Sequence, residues 1–290
     1  MNTSFKTVGL IGKYKSPEIA GPLLKLGEFL ARRGVTVLVD TLTAANIGES
    51  GYPVLALEEI GQQADLAIVI GGDGTMLNIA RTLAPFDVAL VGVNQGRLGF
   101  LTDISIDTMF ETIGSILDGS YVTEERMLLK AEVISSERTV FDVLAFNDAV
   151  VTKGIKGSMI EFEVKIDGKH LYTLRSDGFI VATPTGSTAY ALSAGGPVVH
   201  PSLSVMSLVP ICPHTFSSRP VVISSDSVVE IAISSAANAR AHFDSHSRFD
   251  LRDRDRVIVR RYEHTIRLLH PVGHDYYNML RGKLHWTESY

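Results

Sequence analysis

Gly71-Gly72-Asp73-Gly74-Thr75 joins an apolar run, Leu66 to Ile70, directly to a helical pattern over Thr75 to Leu83. Glycines let backbone N–H groups come close to phosphate oxygens, and a helix N-terminus adds partial positive charge. Gly71, Gly72, Gly74 and Thr75 are therefore candidates for holding a donor phosphate. Asp73 is out of place in a plain phosphate cradle, because its charge repels the ligand. It makes sense as a group that takes a hydroxyl proton or handles a metal-bridged nucleotide. The competing reading is that it only caps the following helix. The segment is not a P-loop, since no Gly-Lys-Ser/Thr follows, and it lacks the Gly-x-Gly-x-x-Gly fingerprint.

A second glycine-rich turn, Asn94-Gln95-Gly96-Arg97-Leu98-Gly99-Phe100-Leu101, follows the next apolar run. It reads either as a structural loop with a solvated Arg97 or as the rest of a donor-nucleotide edge. Further on come Arg175-Ser176-Asp177-Gly178, then Thr183-Pro184-Thr185-Gly186-Ser187-Thr188-Ala189-Tyr190, then Ser193-Ala194-Gly195-Gly196-Pro197. Small residues and hydroxyls at this density offer short hydrogen bonders against exposed backbone. Tyr190 can stack a flat ring while its hydroxyl stays free. The alternative is an ordinary Ser/Thr/Gly loop with Tyr190 in the core.

Other polar groups carry less. The mixed-sign run Arg248, Asp250, Arg252, Asp253, Arg254, Asp255, Arg256 reads as a solvated turn with weak salt bridges. His264, His270, His274 and His285 lack a tight metal spacing such as His-Glu-x-x-His, so no structural zinc is expected. His200 and His214 read as supporting or core residues.

The elements that must position these groups fall into two rhythms. From residue 5 to about 118, apolar strands of about five residues alternate with helices. Strands are expected at Val8–Ile11, Val35–Val39, Leu66–Ile70 and Val88–Val93. Helices are expected from a Ser16-Pro17 cap to Gly34, over Thr75–Leu83 and near Ile106–Leu117. That pattern implies an α/β domain with an open, mostly parallel sheet covered on both faces. Residues 127–270 alternate polar and apolar positions and are rich in Val, Ile, Thr and Phe. Strands are expected at Leu128–Ile134, Phe179–Ala182, Val221–Ile223, Val228–Ile233, Arg256–Arg261 and Thr265–Leu269, with a tight hairpin at Asp167-Gly168. Tyr277, Leu280 and Leu284 have helical spacing, weakened by Gly282. The expected division is 1–122 α/β, 123–271 β-rich, and a helical tail 272–290 packing back on the first domain.

The 27 basic and 32 acidic residues give a formal net charge of −5. A generally basic surface for nucleic acid or an anionic membrane is absent. The single cysteine, Cys212, rules out an intramolecular disulfide and fits a reducing compartment. No run approaches the ~18–20 apolar residues that span a bilayer. A cytoplasmic protein is expected.

Asp177-Gly178 with the loop Thr183–Tyr190, and GGDGT about a hundred residues earlier, closely resembles the bacterial NAD kinase family. Asn147-Asp148 is similar to that family's paired Asn-acid motif. NQGRLGFLTD from Asn94 and PICPHTFSSRP from Pro210 to Pro220 resemble further segments. The glycine turn alone also resembles those of diacylglycerol and sphingosine kinases and, more distantly, of phosphofructokinases, but lipid kinases do not share the TPTGSTAY loop. The resemblance runs from Val8 to Trp286. It implies an active site between an α/β N-terminal domain and a β-rich C-terminal domain. The implied reaction is transfer of the γ-phosphoryl group of ATP to the 2′-hydroxyl of the adenosine ribose of NAD.

By the same resemblance Asp73 is the catalytic aspartate and Gly74 a substrate contact. Asn147 and Asp148 would hold the nicotinamide-side ribose. Asp177 and the loop Thr188, Ala189, Tyr190, Ala191, Leu192, Ser193 would surround the dinucleotide, with Ser158 and Arg175 as further contacts. His246 stands where similar proteins carry Gln or His, and Asp148 is one methylene shorter than the usual Glu. A divalent cation, magnesium, is implied with ATP, its protein ligands unknown, as is a homo-oligomer, dimer or tetramer. Two rivals stay open: a lipid kinase using the same turn, for which no membrane-binding segment is seen, and a non-catalytic dinucleotide sensor.

Overall fold

The computed structural model describes residues 5–48, 50–96, 99–154, 158–235 and 238–286. Arg97 and Leu98, in the second glycine turn, lie outside the described residues. The chain divides into two compact units, Met1–Glu125 with Ile266–Tyr290, and Arg126–Thr265. Composition put the boundaries at 122/123 and 271/272. The chain instead passes between units inside two long strands, Tyr121–Ser135 and Arg256–Pro271. A strand that continues without a turn leaves no shift in composition at the point of passage.

The first unit is built on parallel strands in the order Val54–Leu55, Thr36–Asp40, Thr7–Gly12, Leu66–Ile70, Ala89–Asn94. Ile104–Ser105 pairs with the end of Ala89–Asn94, and Arg267 and Leu268 pair with Ala89 and Leu90. One sheet face packs Val8, Leu10, Ile68 and Val91 against Leu23, Leu26 and Leu30 of helix Ala20–Arg32 and Ile113, Ile116 and Leu117 of helix Met109–Leu117. On the other face Gly9 lies under Ile60 of helix Leu57–Gln63, which packs beside helix Asp73–Leu83. Burial on both faces explains why Leu66–Ile70 carries no polar alternation. The strand order reverses between Thr7–Gly12 and Leu66–Ile70, and open α/β sheets bind ligands beyond the carboxyl ends of strands at such a point. The glycine turn follows Ile70 directly.

Some local expectations change. Ser16 does not cap the first helix: Pro17–Ile19 is a 3-10 turn, the helix starts at Ala20, and the Ser16 hydroxyl donates to Glu18. Helices Thr41–Ile47 and Leu57–Gln63 were not expected, because seven residues hold too little periodicity to read. The first is capped by Asp40, whose carboxylate accepts the Thr43 amide at 3.0 Å. The last helix of the unit, Tyr276–Leu284, is capped by Asp275. Leu280 is its buried residue, whereas Tyr277 is exposed.

The second unit holds two groups of strands around one core. Lys169–Ser176, Ile160–Ile166, Val229–Ser235 and Arg256–Pro271 run antiparallel in that order. Tyr121–Ser135 pairs with Arg256–Pro271 and, antiparallel, with Arg138–Ala145. The other sheet runs Val221–Ser224, Val205–Ile211, Gly178–Ala182, Asp148–Thr152, Arg240–Phe243, Ser247–Asp250. Phe162, Val164 and Ile231 from the first set meet Phe179, Val181, Leu208 and Phe243 from the second. Ile180 and Ala182, with the opposite parity, pack against Ala191 on the other face. Asp167 and Gly168 both take positive φ, 52° and 75°, and form the two-residue hairpin.

Here the expected pair Arg256–Arg261 and Thr265–Leu269 is one continuous strand. The mixed-sign run is not simply a solvated turn. Ser247–Asp250 is a strand, Arg240 bridges Asp250 at 2.6 Å, and buried Asp255 accepts the Arg252 amide.

Candidate functional site

In the first unit, Asp73 is the first residue of its helix, not its cap; Gly72 holds the cap position. The Asp73 carboxylate turns instead to the second glycine segment. Oδ2 accepts the Phe100 amide at 2.8 Å, and Oδ1 accepts the Leu101 amide at 3.0 Å and the Thr102 hydroxyl at 3.2 Å. Asn94, at the end of its strand, donates to the Thr102 hydroxyl at 2.7 Å and accepts the Gly96 amide at 2.7 Å. The Gly99 amide closes the loop on the Thr102 carbonyl. A Cβ at Gly99 would overlap the Asp73 carboxylate and the Thr102 hydroxyl, so a larger residue there would push the carboxylate aside. A carboxylate has room for about four hydrogen bonds, so Oδ2 still has a lone pair for a hydroxyl.

The five-residue turn is not equally free to bind phosphate. The Gly71 amide donates to Val93 and the Thr75 amide to Gly72, both at 2.9 Å. That leaves Gly72, Asp73 and Gly74 as the amides that a helix start does not pair by itself. Gly74 is exposed.

In the second unit the Asn147–Asp148 corner is held from two sides. Asp244 accepts the amides of Phe146 and Asn147, both at 2.7 Å, and of Asp148 at 3.1 Å. The Thr183 hydroxyl donates to Phe146 at 2.7 Å, and its amide to Asn147 at 2.9 Å. Gly186 lies so close to the Asn147 carbonyl that no side chain fits. Asp148 is buried, and burial first, then the Asp244 carboxylate, pushes its pKa up to about 7. Asp244 sits in the turn Asp244-Ser245-His246, where Asp244 and Ser245 take positive φ and His246 is exposed.

The hydroxyls of the TPTGST segment serve the fold. Ser187 bonds Pro184 and Val199, Thr185 accepts from buried Arg126 at 3.1 Å, and Thr188 donates to Thr185. These bonds fix the start of the short helix Tyr190–Ser193, where Ala191 is buried and Tyr190 is 44% exposed, against a core placement. Burial raises the Tyr190 pKa, with further contributions from Cys212, Asp148 and Asp177, which places its hydroxyl near those groups. Asp177 is bridged by Lys153 at 2.7 Å. Thr188 and Leu192 are half-buried with Ala189, and Ser193 is exposed. Ser158 and Arg175 are also exposed and do not enter this network among the described residues. Sequence reading missed Asp244, Gly99 and the Phe100 and Leu101 amides. A turn aspartate carries no signal for three distant backbone donors.

The first unit is an α/β fold with a carboxylate-bearing glycine turn, and the second is a β-rich fold with a clamped Asn-Asp corner. Sequence models of the ATP-NAD kinase N-terminal and C-terminal domains match residues 8–121 and 146–270. The chain belongs to the NAD kinase family. It is 61% identical to the NAD kinase of Nitrosospira multiformis over 99% of this chain and 98% of the relative. A crystal structure of yeast NADH kinase complexed with NADH shares its fold, with TM-score 0.87 at 23% identity over 100% of this chain and 93% of that one. The NAD kinase from Archaeoglobus fulgidus in complex with ATP gives TM-score 0.74 at 27% identity, covering 96% of this chain and 98% of that one.

Proposed function

We infer that the chain transfers the γ-phosphoryl group of ATP to the 2′-hydroxyl of the adenosine ribose of NAD. Family membership supports the substrates, and the single observation behind the mechanism is the Asp73 carboxylate oriented by Phe100, Leu101 and Thr102. Phosphoryl transfer depends mostly on positioning and charge. The free lone pair of Oδ2 accepts a hydrogen bond from the acceptor hydroxyl and takes its proton as the new P–O bond forms. The amides of Gly72, Asp73 and Gly74 receive donor phosphate oxygens, with Gly71 and Thr75 shaping the turn.

In the other unit, Asn147 and Asp148 hold the nicotinamide-side ribose, and Tyr190 lines the dinucleotide with Asp177, Thr188, Ala189, Ala191, Leu192 and Ser193. Ser158, Arg175 and His246 are outer contacts of the same ligand.

Magnesium would travel with ATP and neutralise its phosphates. The turn has one carboxylate, already tied to backbone amides, so no residue there is assigned as its ligand. The described residues include no helix long and apolar enough to cross a membrane; a cytoplasmic homo-oligomer belongs to the same proposal. The kinship of the glycine turn with lipid kinases is a proposal of common phosphate handling only. Incubation with NAD, ATP and magnesium tests the reading: NADP must form, and a sensor that binds without turnover would give none.

A further inference from the structure

His270 and His274 lie at the end of strand Arg256–Pro271 and just before the Asp275 cap of the last helix. Their imidazole rings stack, with centroids 3.9 Å apart and planes 21° apart. Both turn Nδ1 to one carboxylate oxygen: Asp103 Oδ2 is 2.9 Å from His270 and 2.8 Å from His274. The three donor atoms all lie within 4.8 Å of one another.

Behind the cluster, Glu124 Oε2 is 3.2 Å from His270 Nε2. A carboxylate on the far nitrogen of an imidazole is the usual support of a metal-ligating histidine, since it fixes the tautomer and aims the other nitrogen's lone pair. If Nε2–H serves Glu124, a neutral His270 turns that lone pair at the Asp103 oxygen, which is repulsive. Only a cation between them, a proton or a metal ion, relieves this. His270 is 2% exposed. On the other side, the His274 Nε2 atom is buried with no hydrogen-bond partner among the described residues. Asp103 and His274 also line a cavity of about 750 Å³ with Gly99, Asn278, Met279 and Lys283, which gives an ion a route in and room for water as a further ligand.

We propose that Asp103, His270 and His274 form a site for one zinc-class divalent ion, with Glu124 supporting His270 and the remaining position open to the cavity. Two imidazoles and one carboxylate suit a borderline ion such as Zn²⁺ or Co²⁺, whereas magnesium prefers oxygen ligands alone. Bonds of roughly 2.0–2.2 Å require the two stacked rings to swing out of their parallel arrangement, so that both Nδ1 lone pairs point at the ion. Asp103 directly follows Phe100, Leu101 and Thr102, which hold Asp73. A metal here fastens the last helix to the loop that aims Asp73. It is separate from the magnesium that accompanies ATP.

The test uses the full-length, untagged protein stripped with a chelator and titrated with Co²⁺ alone, then Zn²⁺ alone. One equivalent of Co²⁺ should give the strong visible d–d bands of a tetrahedral ion, and Zn²⁺ should displace it and raise the melting temperature. Asp103→Asn and His274→Ala should each weaken Zn²⁺ binding at least 100-fold, and Glu124→Gln about 10–100-fold. Absence of these bands in the wild type, or the same bands and affinity in His274→Ala, would overturn the site. Should the variants fail to fold, zinc X-ray absorption on the wild type decides: two imidazoles with carboxylate oxygen support the site, and a sulfur shell or an all-oxygen shell contradicts it.

Discussion

Asp73 and Asp148 are both short carboxylates at the carboxyl or amino end of a strand, yet their surroundings are opposite. Asp73 is met by two backbone amides and a hydroxyl, and it stays partly open. Asp148 is buried against a second carboxylate, Asp244, which has already taken the nearby amides. The first arrangement prepares an acceptor for a hydroxyl at little cost to folding. The second is unfavourable for a charged carboxylate, because burial and the Asp244 carboxylate both oppose it. A buried carboxyl with a perturbed pKa is a candidate binding group, which is the ground for the role proposed for Asp148.

Removing the reactive carboxylate should have the largest effect. Asp73→Asn should lower kcat by about 10²–10⁴-fold while the chain remains folded. Near wild-type turnover, with circular dichroism unchanged, would remove Asp73 from the chemistry. Gly99→Ala leaves the carboxylate in place but displaces it, because the added methyl overlaps it. A shift of about 1 Å can cost about 10²-fold in rate, so kcat should fall by that order with a smaller change in the KM values. An equal rise in both KM values at constant kcat would mean that the loop holds substrates rather than Asp73.

Asp148→Asn separates binding from stability. Its loss of charge should raise the KM for NAD about tenfold, the weight of one hydrogen bond to a charged group. Because the folded carboxyl titrates near 7 and an unfolded one near 4, the folded chain binds more protons between those values. Wild-type stability therefore falls as pH rises through that window, and the cost stays in full above it. The Asn variant should match the wild type near pH 4 and exceed it above pH 7 by about 1–4 kcal/mol. Denaturation midpoints across pH measure this, and a difference that does not change with pH would refute the burial argument.

Tyr190→Ala is the smallest change. The ring is 44% exposed, so stability should move by no more than about 0.5 kcal/mol. The KM for NAD should rise a few-fold, by the order of a stacking contact of about 0.5–1.5 kcal/mol, and more than that for ATP. A large drop in melting temperature with equal effects on both substrates would make Tyr190 a packing residue instead.

Much of the first unit was legible because buried parallel strands such as Leu66–Ile70 are continuous apolar runs ended by glycine. Short helices such as Leu57–Gln63, with one buried large side chain, were not. In the β-rich unit the hairpin at Asp167-Gly168 was readable because two positive φ angles demand those residues. Strands such as Arg138–Ala145 and Ser247–Asp250 carry charges on their outer positions and were missed. The same holds at the sites. Asp73 stood out because a carboxylate among glycines conflicts with phosphate, but its partners at 100–102 are ordinary residues that serve through their backbone. Asp244 and the Asp103–His270–His274 cluster were hidden for a related reason: each joins residues about 100 or more positions apart, and histidine spacing along the chain says nothing of the carboxylate between the rings.

The central claim is that the adenosine 2′-hydroxyl is the acceptor that Asp73 activates. It is tested by an NAD analogue lacking only that hydroxyl, beside one lacking only the 2′-hydroxyl of the nicotinamide ribose, each incubated with the enzyme, magnesium and γ-labelled ATP. The first should compete with NAD and take up no label. The second should bind more weakly, through loss of the Asn147 and Asp148 contacts, and still be phosphorylated. Label on the first analogue would contradict both the acceptor and the role given to Asp73.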